Sequence, residues 1–162
     1  MRIINCEQAS DEWFAARLGI PTASCFDKIL TPTGKPSTQA EAYMHTLLAE
    51  IMTGLSGGME PTEWMSRGVE LEPEARAWYE FQASADVEQV GFVIQEGYGC
   101  SPDGLVGSDG LVEIKCPAPH THVGYLLDGK LPTKYQPQVQ GQLWVCERDW
   151  CDFVSYAPNM PP

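Results

Sequence analysis

The residues between Ser101 and Pro117, SPDGLVGSDGLVEIKCP, hold two carboxylates and an amine at spacings that could do chemistry: Asp103, Glu113 and Lys115. Asp103 opens a turn-like Ser-Pro-Asp-Gly segment, and a second Ser-Asp-Gly leads into a short apolar strand. Side chains alternate across a strand, so Val112, Ile114 and Cys116 point into the core while Glu113 and Lys115 share the other face. Asp103 joins them or not according to hairpin parity. An odd loop sets it across from Glu113 or Lys115, and an even loop sends it to the opposite face. The Gly107–Gly110 region, rich in Gly, Ser and Asp, can build an odd loop with a bulge. Two carboxylates in one cleft repel, and one keeps its proton unless a cation balances them. Mg2+ suits such a pair because it prefers carboxylate oxygen and keeps several waters. A lysine beside it can orient a water or take its proton, which is the equipment for cleaving a phosphodiester. A solvated strand face alternates apolar and charged residues in the same way, and an exposed Glu–Lys pair there contributes only a few tenths of a kcal/mol. The spacing supports both readings.

These residues need a scaffold. Ser10 is placed to cap a short helix carrying Trp13, Phe14, Arg17 and Leu18 before Gly19, and Thr22 to cap another with Phe26, Ile29 and Leu30 inward. After the loop TPTGKPS, Thr38 and Glu41 form a capping-box pattern, opening a helix with Tyr43, Leu47, Leu48 and Ile51 that stops at Gly54. A Gly-rich loop precedes a helical stretch from Thr62 to about Ala83, whose apolar side includes Trp64, Val69, Leu71, Ala75, Trp78, Tyr79 and Phe81. Pro73 inside it predicts a kink or a restart. Three strands follow at Asp86–Gln95, Tyr98–Val106 and Leu111–Cys116, then helices near Thr121–Leu127 and Thr133–Cys146, and a strand at Trp150–Ala157. From the long helix onward, the order α-β-β-β-α-α-β predicts an α/β (α+β) chain, a mixed sheet flanked by helices. Its last strand should run parallel to a neighbour through a right-handed crossover. Trp13, Trp64, Trp78 and Trp144 read as core.

A chain of 162 residues, 43% hydrophobic and 20% charged, fits one soluble domain over 1–162. Its apolar runs are too short to span a bilayer, and MRIINCEQAS lacks the apolar region of a signal peptide, so a cytoplasmic location is expected. The six cysteines form no CxxC pair, and reduced, mostly buried thiols are expected rather than a zinc or iron–sulfur site. The net charge of −12 argues against a nonspecific nucleic-acid binder.

The arrangement SPDG…LVEIKCP resembles the PD-(D/E)xK nuclease signature. The segments ARLGIPTAS, YMHTLLAEIMTG, RGVELEPEARAWYEF, GCSPDGL, EIKCP and QVQGQLWV occur in the order found in lambda-exonuclease-type alkaline nucleases, the YqaJ-like viral recombinase family. The likeness covers about Trp13 to Tyr156. It implies a restriction-endonuclease-like core and a Mg2+-dependent 5′–3′ exonuclease, with two ions and Mn2+ as a substitute. Such an enzyme digests one strand of duplex DNA from its end, leaving a 3′ overhang for a single-strand annealing protein. It also implies a toroidal homotrimer and no membrane partner. By this resemblance Asp103 and Glu113 match metal ligands, with the Ile114 carbonyl as a further one. Lys115 matches the water-activating lysine, Glu72 the helix glutamate and Gln140 the glutamine of the following helix. Arg17, Ser24 and Ser101, with Gln140 nearby, match a pocket for the 5′-phosphate. A guanidinium fork with hydroxyl and backbone donors suits a terminal phosphate.

Plainer roles stand beside these. Arg17 could pair with Asp11 or Glu12, Ser24 could simply start a helix, Glu72 could belong to an acidic run with Glu70 and Glu74, and Gln140 could be a helix-surface amide. The loop expected to track the duplex offers only Lys35, and a wedge against the terminal base pair falls near Met65. Relatives commonly continue with another strand and helix beyond Pro162. A repair or structure-specific endonuclease of the same superfamily is the other enzyme reading. An inactive DNA-binding module on the same fold is the non-enzyme reading, and the intact Asp, Glu, Lys set argues against it. The net charge has no explanation at this level.

Overall fold

The strand that carries Glu113 and Lys115, β6 (Gly110–Lys115), lies inside a four-stranded sheet ordered β2-β5-β6-β7 in the computed structural model of the chain. The structure describes residues 1–56 and 62–161, which leaves out part of the Gly-rich loop after Gly54; the side chain of Met65 also lies outside the described residues. β5 (Gly104–Val106) pairs antiparallel with β6 through Gly104↔Val112, Leu105↔Leu111 and Val106↔Gly110. The connecting loop is therefore Gly107–Asp109, odd in length, with Gly107 at φ +56°. Glycine takes that left-handed conformation without steric penalty. β7 (Trp150–Ser155) runs parallel to β6, with α4 (Pro119–Asp128) and α5 (Gln136–Cys146) in the crossover between them. The parallel last strand is the one expected.

Both faces of this sheet are covered. On one, Ala75 and Tyr79 of α3 (Glu63–Ala83) pack on Val106, Val112, Ile114, Val154 and Tyr156. On the other, Ala23, Val93, Cys100, Val145 and Cys146 surround Leu105 and Leu111. Glu113 lies on this second face and is 1% exposed, so the solvated-surface reading of the Glu–Lys pair does not hold.

The two strands expected at 86–95 and 98–106 are each broken. β2 (Val87–Glu88) pairs with β5 in the central sheet, while β3 (Phe92–Gln95) and β4 (Tyr98–Cys100) pair in a second sheet ordered β1-β3-β4. Pro102 sits at the break, and proline has no N–H to continue a ladder. The break is plugged by Gln8, whose Nε2 donates to the carbonyls of Val90 at 3.0 Å and Pro102 at 3.2 Å. β1 (Arg2–Ile4), with three residues, is too short for alternation to reveal, and was not expected.

The helices follow their signals unevenly. Ser10 caps α1 (Asp11–Arg17), accepting from the Trp13 amide at 3.2 Å. Ala23–Lys28 is a 3-10 helix whose Thr22 makes no capping bond and instead meets Ser24 Oγ at 3.2 Å. The Thr38–Glu41 capping box does not form. α2 (Ala40–Thr53) starts after a turn in which Ser37 Oγ accepts from the Gln39 amide at 3.3 Å, and it ends at Gly54 with φ 68°. α3 runs unbroken through the exposed Pro73, with no restart, since the packing of Ala75 and Tyr79 holds its second half in place. Trp64 and Trp144 are surface aromatics, 55% and 49% exposed, so the core reading is corrected for these two; Trp78 is half-buried and packs on the Ala75–Tyr79 cluster as expected, and Trp13 is half-buried. All six cysteines are free; Cys100 and Cys146 are buried, with their sulfurs 3.3 Å apart, and the other four are half-buried. No described helix is long and apolar enough to cross a membrane.

Gly91, where the first broken strand turns into β3, is pressed against the N-terminal segment: a Cβ there would lie 2.2 Å from the Cys6 carbonyl oxygen and 2.8 Å from its nitrogen. Backbone cannot yield as a side chain can. Gly91→Ala should therefore destabilise the fold by about 1–3 kcal/mol, as overpacking does. Urea unfolding would measure it, and a wild-type midpoint would refute the close approach.

Candidate active site

The odd loop decides the parity left open above. The β5–β6 register carried one pair further sets Asp103 opposite Glu113, on one sheet face. Carried to the next pair, it sets Pro102 opposite Ile114, and the proline offers no amide hydrogen to the Ile114 carbonyl. The Ile114 amide is satisfied differently: it donates to Asp103 Oδ2 at 2.6 Å. The interruption that ends β5 thus aims the Asp103 carboxylate and leaves the Ile114 carbonyl free of a ladder partner from that residue.

Glu113 is held from two sides. Its Oε1 accepts from Gln138 Nε2 at 2.6 Å and pairs with Lys115 Nζ, and its Oε2 accepts from Gln142 Nε2 at 2.6 Å. Gln138 and Gln142 lie one turn apart on α5, hence on one face. Gln140 lies between them on the opposite face. It is exposed and lines an apolar groove of about 510 Å³ with Phe26, Tyr98 and Trp144. The glutamine at the carboxylates is Gln138, supported by Gln142, and the assignment of Gln140 to the site and to the phosphate pocket is corrected. QVQGQ holds three candidates at spacings of two, and only the helix phase separates them.

Glu72 projects from α3 and is paired with Arg76, one turn further on. Arg76 is buried and its Nε donates to the carbonyl of Asp103 at 3.2 Å. With the Gln89 amide turned so that its oxygen faces the guanidinium, that oxygen accepts from both terminal nitrogens of Arg76, at 2.8 and 3.0 Å. Of the acidic run, Glu74 accepts from Tyr156 Oη at 2.5 Å and Glu70 is exposed, so Glu72 is the member turned to the site. Sequence reasoning missed Arg76. Its only signal was the i, i+4 spacing from Glu72.

The electrostatics match two acids held against each other. Burial pushes the Asp103 carboxyl well above the usual carboxylate range; Glu113 and Glu72 add to this, while Lys115 and the Ile114 amide oppose it. Burial pulls the Lys115 amine down, but the charges of Glu113 and Asp103 outweigh it and leave the amine raised. Among the described residues no three His, Cys, Asp or Glu side chains converge in metal-ligating geometry. What the site offers is two hard carboxylates and a backbone carbonyl. That donor set fits an ion which keeps most of its waters.

Beside it lies a second cluster. The Arg17 guanidinium stacks 3.9 Å over the centre of the Trp13 ring, and burial lowers its pKa, partly offset by Cys25, Tyr43, Glu50 and Cys100. Trp13 Nε1 donates to Ser101 Oγ at 2.8 Å, and the exposed Ser24 sits in the first turn of the 3-10 helix. Among the described residues Arg17 makes no ion pair, so the pairing with Asp11 or Glu12 does not occur. Lys35 is exposed in the loop before α2.

A mixed sheet with helices on both faces, and a carboxylate–carboxylate–lysine set on its central hairpin, defines a protein of the PD-(D/E)xK type. Residues 12–149 match the YqaJ-like viral recombinase domain, and the chain belongs to that family. It is similar to the alkaline exonuclease LHK-Exo of Laribacter hongkongensis, with 42% identity and a TM-score of 0.83 over 94% of this chain and 76% of that one. LHK-Exo in complex with dAMP aligns over the same shares at 41% and 0.82. A phage-related exonuclease from Haemophilus somnus 129PT shares the fold, at 19% identity and a TM-score of 0.67 over 85% of this chain and 68% of that one. An uncharacterised protein of Acanthamoeba polyphaga mimivirus, R354, is 26% identical over 95% of this chain, which spans 30% of that protein.

The raised Asp103 carboxyl has a consequence for the metal-free protein. A group raised on folding contributes its full stability while protonated and loses it as pH rises through its folded-state pKa. Asp103→Asn removes that loss. In EDTA at pH 8 the variant should exceed wild type by about 1–2 kcal/mol, as relief of a strained functional site does, and the gap should close toward acid pH. Denaturant unfolding at the two pH values checks this.

Proposed function

We propose that this protein is a divalent-cation-dependent exonuclease that digests one strand of duplex DNA from a 5′-phosphorylated end, leaving a 3′ single-stranded overhang. The observation that carries the proposal is the convergence of Asp103, Glu113 and Lys115 on one sheet face, with Gln138 on the second carboxylate. Membership of the recombinase family and likeness to an alkaline exonuclease support it. Asp103, Glu113 and the Ile114 carbonyl would hold Mg2+, or Mn2+ in its place, and the ion would supply charge balance at the phosphorus and a more acidic water.

The chain's own residues do the rest. Arg17, Ser24 and Ser101 bind the terminal phosphate, and Ser101, two residues before Asp103, ties that pocket to the reacting phosphodiester. Lys115 stands over the shared face with its amine on Glu113. When the two carboxylates are charge-balanced, the pull that raises that amine weakens to the Tyr135 contribution, and burial weighs more. It pulls the pKa down, toward the range where Lys115 accepts a proton from the attacking water. Gln138 fixes Glu113, and Arg76 fixes Glu72 together with the backbone at Asp103. Assembly as a ring-shaped homotrimer and delivery of the overhang to an annealing protein are part of the same proposal, and rest on the family alone.

Linear duplex DNA with a 5′-phosphate should be degraded in Mg2+ and left intact in EDTA. Lys115→Ala should lose about 10²–10⁴-fold in rate, the usual contribution of a general base. Arg17→Ala should lose the preference for a 5′-phosphate over a 5′-hydroxyl. Cleavage of closed circular DNA, or full activity in EDTA, would overturn the proposal.

A further inference from the structure

Gln142 stands against Glu113 in a way the fold alone does not call for. It is 1% exposed, and its Nε2 donates to Glu113 Oε2 at 2.6 Å while its own Oε1 has no hydrogen-bond partner among the described residues. A buried amide with an orphaned oxygen destabilises a core, and methionine or leucine would fill the same space without that oxygen. What the amide supplies is a donor to a carboxylate that water does not reach, since Glu113 is also 1% exposed. The two oxygens of Glu113 are treated unequally. Oε1 is shared by Gln138 and Lys115, and Oε2 is held by Gln142. With Oε2 fixed on α5, the carboxylate cannot rotate, and Oε1 is the oxygen left on the Lys115 side.

We propose that Gln142 is a positioning residue: by anchoring Glu113 Oε2 to α5 it sets Oε1 as the oxygen presented to a divalent cation. The inference rests on the cation-dependent reading given above. Gln142 makes no contact with Arg17, Ser24 or Ser101 among the hydrogen bonds described, so it leaves DNA-end binding alone. Hydrogen-bond partners of metal-ligating groups contribute about 10–100-fold to metal affinity or activity.

The test is a titration of the full chain with MnCl2, followed by electron paramagnetic resonance of the free ion and by calorimetry, for wild type and Gln142→Met. The variant should bind Mn2+ about 10–100-fold more weakly. At saturating Mn2+ its kcat on linear duplex should fall while its KM for DNA ends stays at the wild-type value. Wild-type Mn2+ affinity in Gln142→Met would overturn the inference while leaving the cation-dependent reading intact. A wild-type protein that takes up no Mn2+ would overturn that reading first, and the inference with it. Gln142→Asn keeps an amide but withdraws it by one methylene. It should show the same loss, and decides the matter should the methionine variant not fold.

Discussion

Two carboxylates of like charge on facing positions of a covered sheet are the constraint around which this molecule is built. Buried acids that close together cannot both be charged without compensation. The groups around them are the compensation available within the chain: the Ile114 amide on Asp103, Lys115 and Gln138 on one oxygen of Glu113, and Gln142 on the other. Burial still leaves Asp103 raised, so the compensation is incomplete. A site that folds with unbalanced negative charge and hard oxygen donors is one whose stability improves when a cation enters.

The fold serves that constraint by interrupting a hairpin. A continuous ribbon from 86 to 106 would carry Asp103 in a regular ladder, with its backbone satisfied by a neighbouring strand. Pro102 prevents this, and the three residues of the break are then held from three separate elements. Trp13 donates to the Ser101 hydroxyl, Gln8 to the Pro102 carbonyl and Arg76 to the Asp103 carbonyl. Segments from before β3 and from α3 thus fix the short stretch on which both candidate clusters depend. This is why a fold with only three residues in β5 can still aim a side chain.

Much of this was legible beforehand where the signal was local. Period-two alternation placed β6, the helix–helix crossover implied a parallel β7, and Ser10 and Gly54 marked helix ends. The Asp, Glu, Lys set was legible as a candidate, but its convergence hung on loop parity, which alternation does not encode. The misses share a cause: each depended on a contact distant in sequence. The broken strands required Gln8, 82 and 94 residues from its acceptors. The choice among the glutamines of QVQGQ required the phase of α5 relative to the sheet. Arg76 was missed because its acceptors, the Asp103 carbonyl and Gln89, belong to other elements. Trp64 and Trp144 counted as core by residue type alone, and type does not say which side of a helix is covered.

The acidic surface finds its place in the same scheme. A protein of net charge −12 cannot draw a polyanion by its overall field, so whatever affinity it has for DNA must be local. Arg17 is suited to that. Its guanidinium is half-buried on the Trp13 ring and free of any ion pair among the described residues, and its lowered pKa expresses the cost of holding a charge there. An unpaired cation in one pocket and an uncompensated pair of anions in the next are both unfavourable in the empty protein. They lie at either end of Ser101-Pro102-Asp103, and each is relieved by a ligand of opposite sign. The proposed ligands, a phosphorylated strand end and a divalent ion, would supply both signs, which would give the two clusters a physical reason to share one bend of the chain.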